Sequence, residues 1–239
     1  MTSPVRTEWI SIAPGFAGYL AKPPAGTGPG LLLYQEIFGV NAHIRAVAEQ
    51  YALAGFVVLA PDVFWRQAPR VELGYEGEQR QRAMGLIQSY QQADAGPDIG
   101  AAVATLRARS ETAGRKVGAI GYCFGGRLAY LAAASAGIDA AAAFYGGGIH
   151  NQLDLAPALG CPIQFHYAGE DDHIPPAAVE SVRKAFEGRA AEVFVYEGAK
   201  HGFNCWDRAS YQPAAAALAH GRALAFLAAN LFQRRGGAG

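Results

Sequence analysis

One cysteine stands where a reactive side chain is expected. Cys123 lies in the segment Gly121-Tyr122-Cys123-Phe124-Gly125-Gly126, with glycines close on both sides. A thiolate is a strong nucleophile, but the thiol needs a base to remove its proton and a third group to orient that base. The chemistry to look for is therefore attack of a cysteine on a carbonyl carbon, with a histidine and an acid elsewhere in the chain.

The segments on either side of Cys123 predict a tight turn between a strand and a helix. The apolar run 116–121 has the length of a strand, and an alanine-rich helical pattern covers 126–136. This is the Gly-x-Ser-x-Gly nucleophile motif with cysteine in the serine position, at a helix N-terminus that favours a thiolate and an oxyanion. Most free cysteines are small buried hydrophobes, which is the alternative interpretation. The strand before Cys123 and the helix after it favour the nucleophile.

Two later loops supply candidates for the acid and the base. In the α/β-hydrolase fold, which uses this strand-turn-helix, the acid and then the histidine follow the nucleophile in sequence. Asp171 and Asp172 follow one predicted strand and His201 follows the last one, so both loops lie at carboxyl ends of strands, where open α/β sheets place their active sites. His173 is an alternative base, but His201 is favoured because it follows the last strand and precedes a glycine. The residues alone leave open which of the two aspartates orients the histidine.

The order of the predicted elements indicates the fold class. Apolar bursts alternate with helical patterns, and several bursts, such as GLLLY and GFVVLA, are apolar throughout, as strands buried on both faces are. We expect an α/β-hydrolase fold, with a mostly parallel central sheet flanked by helices on both faces and an antiparallel hairpin formed by the first two strands. The predicted strands are 9–12, 18–21, 30–34, 56–60, 116–121, 140–145, 162–167 and 191–196. The predicted helices are 43–54, 77–90, 97–109, 126–136, 178–186 and 211–230.

The composition favours a cytoplasmic enzyme that acts on small molecules. The length of the sequence predicts one domain over 1–239, frayed at 235–239. The 20 basic and 20 acidic residues balance, which predicts no affinity for nucleic acid or an anionic membrane. The N-terminus lacks an apolar signal segment, and the alanine-rich stretches near Ala132 and Ala214 are too short and interrupted to span a membrane. Three cysteines without a Cys-x-x-Cys pair predict free thiols in a reducing compartment. No metal or organic cofactor is expected, since no phosphate-binding glycine motif follows a strand.

The sequence resembles the dienelactone hydrolase (carboxymethylenebutenolidase) family over nearly its whole length. The resemblance is carried by Gln35-Glu36-Ile37-Phe38-Gly39, Ala60-Pro61-Asp62, Arg66-Gln67-Ala68-Pro69, Gly118–Gly126, Phe144-Tyr145-Gly146 and His201-Gly202-Phe203. It implies a Cys-His-Asp triad that cleaves a dienelactone, carboxymethylenebutenolide, to maleylacetate through an acyl-enzyme. It also selects Asp171 over Asp172, because the family's acid stands four residues before a proline, here Pro175.

The resemblance assigns further groups beside the nucleophile. In the family, a glutamate after an early strand contacts the resting thiol and helps to form the thiolate when substrate arrives; here it is Glu36. Read alone, Glu36 is an exposed loop acid, although its place at the end of a buried strand also suits a site residue. The backbone N–H groups of Ile37 and Phe124 are expected to form the oxyanion hole.

Family members hold a carboxylate of the substrate with arginines, and this chain matches that feature only in part. Arg80 aligns with the first arginine, with Arg82 as the alternative, and a nearby family tyrosine is replaced by Met84. The second arginine falls on Cys205, and Arg208 lies beyond it, able to reach the pocket only if the loop is rearranged. Loss of one charge-assisted contact costs about 1.5–3 kcal/mol. A carboxylesterase or lactonase acting on a neutral or bulkier ester is therefore the alternative function.

Aromatic side chains complete the predicted substrate pocket. The expected contacts are Phe38, Tyr145, Phe203 and Trp206. A non-catalytic hydrolase-like binding protein is the remote alternative, and the presence of all three triad candidates disfavours it. We expect a monomer or weak homodimer whose partner is a small lactone or ester.

Overall fold

A computed structural model describes residues 3–233, which form one eight-stranded sheet with helices packed against it. The strands are β1 (Arg6–Ala13), β2 (Phe16–Lys22), β3 (Gly30–Tyr34), β4 (Val57–Pro61), β5 (Val117–Tyr122), β6 (Ala141–Phe144), β7 (Ile163–Ala168) and β8 (Ala191–Tyr196). Their order across the sheet is β1-β2-β4-β3-β5-β6-β7-β8. β2 pairs antiparallel with β1 and β4, and every other neighbouring pair is parallel.

The central strands are buried on both faces. Every residue of β3 to β7 is buried, which explains why the sequences of β3 to β6 are apolar throughout rather than alternating, whereas β7 also buries Gln164 and His166. The edge strands β1 and β8 are partly exposed. The predicted α/β-hydrolase fold, with its mostly parallel sheet flanked by helices, is confirmed, and the predicted hairpin is β1–β2.

The helices begin and end within three residues of the predicted bounds. They are α1 (Ala42–Leu53), α2 (Gly77–Ser89), α3 (Ala95–Ala108), α4 (Phe124–Ser135), α5 (Pro176–Ala185) and α6 (Pro213–Leu231). α1 begins after Asn41, whose side-chain oxygen accepts a hydrogen bond from the N–H of Ile44 at 3.2 Å. α5 and α6 each begin with a proline, which is favoured in the first helical turn.

The last helix packs on the sheet through an alanine-rich face. Its buried residues recur at helical spacing: Ala215, Ala216, Ala219, Ala223, Leu227 and Leu231. Within residues 3–233, α6 is the one helix long and apolar enough to cross a membrane by length and composition alone. The stretch near Ala214 is therefore longer than its sequence indicated, although a core helix passes the same test. The frayed tail predicted at 235–239 lies outside the described residues.

The parallel strands bring four loops to one edge of the sheet. The loops after β3, β5, β7 and β8 carry Glu36, Cys123, Asp171 and His201 respectively. Since all four strands run in the same direction, their carboxyl ends lie side by side. This edge is where the candidate site is built.

Candidate active site

Cys123 occupies a strained turn directly before α4. Its backbone has φ 56° and ψ −118°, a region that non-glycine residues rarely adopt. The turn is held by its neighbours: the N–H of Cys123 donates to the carbonyl of Phe144 at 3.0 Å, and its own carbonyl accepts from Gly126 N–H at 3.0 Å. The side chain remains partly exposed at the N-terminus of α4, where helix N–H groups and the dipole favour negative charge.

The glycines of the motif are required by close backbone approaches. A Cβ atom at Gly121 would overlap the carbonyl oxygen of Gly125, and one at Gly125 would overlap the carbonyl oxygens of Tyr34 and Gln35. Because these neighbours are backbone atoms of the central sheet and of α4, they cannot move aside cheaply. The sequence pattern around Cys123 therefore follows from the steric demands of the turn.

Gly121→Ala is expected to lower the free energy of unfolding by about 3 kcal/mol, because overpacking against fixed backbone forces the turn to shift. The control is Gly100→Ala, on α3, where an added Cβ meets nothing within 4 Å. That variant should gain about 0.5–1 kcal/mol from the better helix propensity of alanine. Urea denaturation of the two variants and the parent measures both effects. Equal stability of Gly121→Ala and the parent would contradict the steric account of the turn.

His201 and Asp171 form a hydrogen-bonded pair beside Cys123. The Nδ1–H of His201 donates to Oδ2 of Asp171 at 2.9 Å, and both side chains are largely buried. The other carboxylate oxygen, Oδ1, accepts from the backbone N–H groups of His173 at 2.8 Å and Ile174 at 3.1 Å. These bonds fix the carboxylate and leave Nε2 of the imidazole as the nitrogen available for the thiol proton. The neighbouring Asp172 is exposed.

The charges around His201 favour its protonated form. Burial alone lowers its pKa, but Cys123 and Asp171, each acting as a hydrogen-bond partner and as a negative charge, raise the pKa of His201 to about 10. For Asp171, burial raises the pKa, but the hydrogen bonds and the charge of His201 outweigh it, so the carboxyl pKa lies below its usual value. The arrangement therefore favours an imidazolium at His201 beside the Asp171 carboxylate.

A pocket opens over Cys123 and has a volume of about 260 Å³. Its lining consists of Ile37, Phe38, Arg80, Met84, Ile87, Cys123, Phe124, Arg127, Gly147, His173, His201 and Arg208. Phe124 is the first residue of α4, so its N–H has no partner within the helix. Ile37 belongs to the loop after β3, across from Phe124. Both residues predicted to supply oxyanion donors thus border the pocket at the nucleophile.

Glu36 is buried and paired with Arg208. The Nη1–H of Arg208 donates to Oε1 of Glu36 at 2.8 Å, and the glutamate side chain is 1% exposed. Burial raises the pKa of Glu36, and the positive charges of Arg208 and His201 oppose that rise. The second oxygen, Oε2, is buried without a hydrogen-bond partner among the described residues. The predicted exposed-loop alternative for Glu36 is wrong, because the side chain is enclosed within the site.

Arg208 reaches the pocket because the loop after His201 folds back in successive turns. The N–H of Cys205 donates to the carbonyl of Gly202 at 2.9 Å, and the N–H of Arg208 donates to that of Cys205 at 3.1 Å. Gly202 has φ +81°, and a Cβ there would collide with the Arg208 guanidinium. The guanidinium also lies 5.8 Å from the ring centroid of Phe38. The glycine after His201 therefore leaves room for Arg208.

On α2, one helical face borders the pocket. Arg80, Met84 and Ile87 are spaced at i, i+4 and i+7 and all line it, whereas Arg82 does not. Arg80 is exposed, so its guanidinium can turn toward a ligand at the pocket mouth. The predicted substrate residue Phe38 also lines the pocket and contacts Tyr75 edge to face, with ring centroids 4.6 Å apart.

Three predicted substrate contacts lie behind or beside the pocket. Tyr145 and Phe203 are fully buried, and Tyr145 packs against the rings of His201 at 5.1 Å and Phe203 at 5.4 Å. Tyr145 therefore packs on the imidazole and Phe203 packs on Tyr145, and neither residue lines the pocket. Trp206 is 41% exposed and packs on His43, with ring centroids 4.1 Å apart, outside the lining. The direction of the loop explains this correction: Arg208 turns inward and Trp206 outward.

The remaining cysteines lie outside the pocket lining. Cys205 is fully buried, and burial, with the charge of Glu36, raises its thiol pKa to about 12. Burial likewise raises the pKa of Cys161 to about 11. Neither thiol is therefore prepared to act as a nucleophile near neutral pH. Within residues 3–233, no group of three or more His, Cys, Asp or Glu side chains is placed to hold a metal ion.

Sequence reasoning missed two arginines of the pocket. Arg208 was given no role in the pocket, because the path of the loop that carries it could not be inferred from residue spacing. The same reasoning passed over Arg127, on the first turn of α4, although a cation there is unusual for a helix N-terminus. The helical spacing of Met84 and Ile87 from Arg80 could have predicted that they share the face of α2 that borders the pocket.

Both the sequence and the fold are similar to those of known proteins. Residues 16–231 match the model of the dienelactone hydrolase family. The chain is 36% identical to a carboxymethylenebutenolidase of Pseudomonas putida, covering 93% of this chain and 96% of the relative. It is 33% identical to carboxymethylenebutenolidase 1 of Cupriavidus pinatubonensis, covering 89% and 91%. The fold also matches the crystal structure of dienelactone hydrolase from Anabaena variabilis, with a TM-score of 0.70, 20% identity and coverage of 95% and 99%. On the extent of these matches, the chain belongs to the dienelactone hydrolase family.

Proposed function

We propose that this hydrolase opens a carboxylate-bearing lactone of the dienelactone type, carboxymethylenebutenolide to maleylacetate, with Cys123 as the nucleophile. One observation carries the proposal: Cys123 stands on its strained turn beside the His201–Asp171 pair, in a pocket whose wall includes Arg80 and Arg208. The carboxymethylenebutenolidase relatives, similar along nearly the whole chain, support the same substrate class.

In the first half of the reaction the lactone ring opens. Nε2 of His201 takes the thiol proton, and the sulfur of Cys123 bonds to the carbonyl carbon. The carbonyl oxygen becomes an oxyanion that accepts hydrogen bonds from the N–H groups of Ile37 and Phe124. When the carbonyl re-forms, the ring C–O bond breaks and the leaving oxygen receives the proton from His201. The product of this half is a thioester on Cys123.

In the second half water releases the acyl group. His201, again neutral, accepts a proton from the attacking water, whose oxygen bonds to the thioester carbon. The second tetrahedral intermediate uses the same oxyanion donors. Its collapse breaks the C–S bond, and Cys123 leaves as the thiolate beside the His201 imidazolium. Asp171 holds the imidazole in one tautomer and stabilises its charged form through both halves.

The Glu36–Arg208 pair gives the site a means to sense a substrate carboxylate. A carboxylate that binds Arg208 competes with Glu36 for the same guanidinium. As Arg208 is drawn away, Glu36 remains buried with less positive charge near it, so its affinity for a proton rises. Glu36 thus responds to the substrate, consistent with the role in thiolate formation that the family resemblance implies, while His201 remains the group that receives the thiol proton.

A neutral or bulkier ester is the second candidate substrate. The pocket wall is largely apolar, with Ile37, Met84 and Ile87 among its lining residues. Glu36 already neutralises the charge of Arg208. A neutral substrate can therefore bind without breaking the Glu36–Arg208 ion pair. The chemistry at Cys123 is the same for both substrates.

Arg208→Met distinguishes the two substrates. For the parent we expect Cys123-dependent hydrolysis of dienelactone, with kcat/KM above that for p-nitrophenyl acetate. Removing the guanidinium should lower kcat/KM on dienelactone by about 10- to 100-fold, the effect of one lost charge-assisted hydrogen bond, and reduce the ratio to the neutral ester. Steady-state kinetics on both substrates measures this.

Two outcomes would contradict the proposal. If the parent hydrolyses only the neutral ester, the substrate belongs to the second class. If Arg208→Met loses activity equally on both substrates, Arg208 does not recognise the carboxylate. Arg45→Met is a matched control, because Arg45 pairs with the half-exposed Glu72 and does not line the pocket.

A further inference from the structure

Arg127 is a pocket residue that the mechanism does not use. It lies in the first turn of α4, is half-buried, and lines the pocket together with Cys123. Its guanidinium sits 5.2 Å from the ring centroid of Phe124. Its Nε is buried without a hydrogen-bond partner, and no carboxylate in residues 3–233 forms an ion pair with it. By contrast, Arg208 and Arg66 are both paired with acids.

The position of Arg127 is energetically unfavourable for a cation. Burial lowers the pKa of Arg127, which reflects the cost of keeping the charge away from water. The N-terminus of a helix also repels positive charge, since its unpaired N–H groups carry the positive end of the dipole. Neither cost is offset by an acid of the protein. An anion from outside the chain would offset both.

Arg127 and Arg208 lie on opposite sides of the nucleophile. Arg208 is bound to Glu36, in the loop after β3, whereas Arg127 rests against Gly148, in the loop after β6. A Cβ at Gly148 would come within 3.1 Å of Nη1 of Arg127. β3 and β6 flank β5, the strand that leads to Cys123. The two guanidinium groups are therefore held by loops on either side of the strand that leads to Cys123.

We propose that Arg127 binds a second anionic group of the substrate, on the side of the scissile carbonyl away from Arg208. This rests on the proposed function and extends it: besides the single carboxylate of a dienelactone, the site would bind lactones or esters with a second anionic group on the other side of the carbonyl. Carboxylates are the fitting class, because a guanidinium binds a carboxylate with two parallel hydrogen bonds.

The test uses two matched pairs of esters. One pair places a carboxylate on the acyl side, mono-p-nitrophenyl glutarate against p-nitrophenyl valerate. The other places it on the alcohol side, 4-acetoxybenzoate against its methyl ester. For each pair, the ratio of kcat/KM for the anionic ester to that for the neutral ester is measured in the parent, Arg127→Met and Arg208→Met. We expect Arg127→Met to lower one ratio by about 10- to 100-fold and Arg208→Met to lower the other.

A conservative variant and a control separate binding from packing. Arg127→Lys keeps the charge but not the planar fork, so it should retain a ratio between those of the parent and Arg127→Met. If Arg127 only packed on Phe124, the ratios of the parent, Arg127→Lys and Arg127→Met would not follow this order. Arg189→Gln removes one positive charge at an exposed position before β8 and should leave both ratios unchanged.

Binding of a dicarboxylate tests the inference without turnover. Calorimetric titration with adipate should give a Kd about 10-fold or more higher for Arg127→Met than for the parent. If the parent hydrolyses neither dienelactone nor any of these esters in a Cys123-dependent way, the proposed function fails, and the adipate titration alone decides the role of Arg127. If Arg127→Met retains both ratios and the parent Kd for adipate, the role of Arg127 is refuted while the proposed function stands.

Discussion

Cys123→Ala is expected to lower kcat for lactone and ester hydrolysis by about 10⁴-fold or more, because no other thiol can form the acyl-enzyme. Alanine at φ 56° is no more strained than cysteine, so the variant should fold as the parent does. The measurement is kcat on dienelactone and p-nitrophenyl acetate, with circular dichroism to verify the fold. Residual activity then reflects binding and the oxyanion donors alone.

Cys161→Ala is the matched control for that result. Cys161 precedes β7, outside the pocket lining, and its thiol pKa is raised by burial. We expect it to retain activity within about twofold, as for a substitution away from the site. Parent-like turnover by Cys123→Ala would refute the assignment of the nucleophile. Loss of activity in the Cys205→Ala variant alone would transfer the role to Cys205, against its buried position.

Asp171→Asn is expected to lower kcat by about 10²- to 10⁴-fold, because the imidazole would be held in the wrong tautomer. Only an oxygen can accept the N–H groups of His173 and Ile174, so the asparagine oxygen takes the place of Oδ1. Its NH₂ group then faces Nδ1 of His201 and needs an acceptor there. The ring proton moves to Nε2, which can no longer take the thiol proton.

The same variant should shift the pH dependence of kcat/KM. In the parent, the pKa of His201 is raised to about 10, with Asp171 among the groups that raise it. Below that pKa the imidazolium is present to pair with the thiolate and to protonate the leaving oxygen, so activity should persist at pH 9 and fall as pH rises through about 10. Without the charge of Asp171 the pKa falls, and the alkaline limb should move to lower pH.

Asp172→Asn provides the comparison for both effects. Asp172 is exposed and adjacent in sequence, so its variant carries the same change of charge at nearly the same place. It should keep the parent's kcat and alkaline limb. An alkaline limb near pH 6.5 in the parent would contradict the raised pKa of His201. Equal effects of the two substitutions would contradict the specific role of Asp171.

The fold and the strained turn could be predicted because their causes are local. Strands buried on both faces must be apolar throughout, and a turn that brings Gly121 and Gly125 into backbone contact must exclude side chains. The order of acid and histidine after Cys123 then limited the candidate acid and base to the two loops after the later strands. The sequence could not choose Asp171 without the family resemblance, since the decision depends on which carboxylate faces His201.

The side chains around the pocket were harder to predict, because their directions depend on tertiary packing. Tyr145 and Phe203 follow strands, as substrate-binding aromatics often do, yet both are buried outside the pocket lining, with Tyr145 packed on His201. Arg208 and Trp206 are two residues apart and point to opposite sides of one loop. The successive turns after Gly202 determine which of them enters the pocket, and no spacing rule gives that outcome.

An acyl-enzyme on Cys123 can be detected by mass spectrometry. The protein is mixed rapidly with p-nitrophenyl acetate, quenched in acid and digested with trypsin, which releases the peptide 117–127 with Cys123 as its one cysteine. This peptide should gain the mass of one acetyl group and lose it with hydroxylamine, as a thioester does. Turnover that leaves the peptide unmodified, or an acetyl group on the peptide of Cys161 or Cys205, would contradict it.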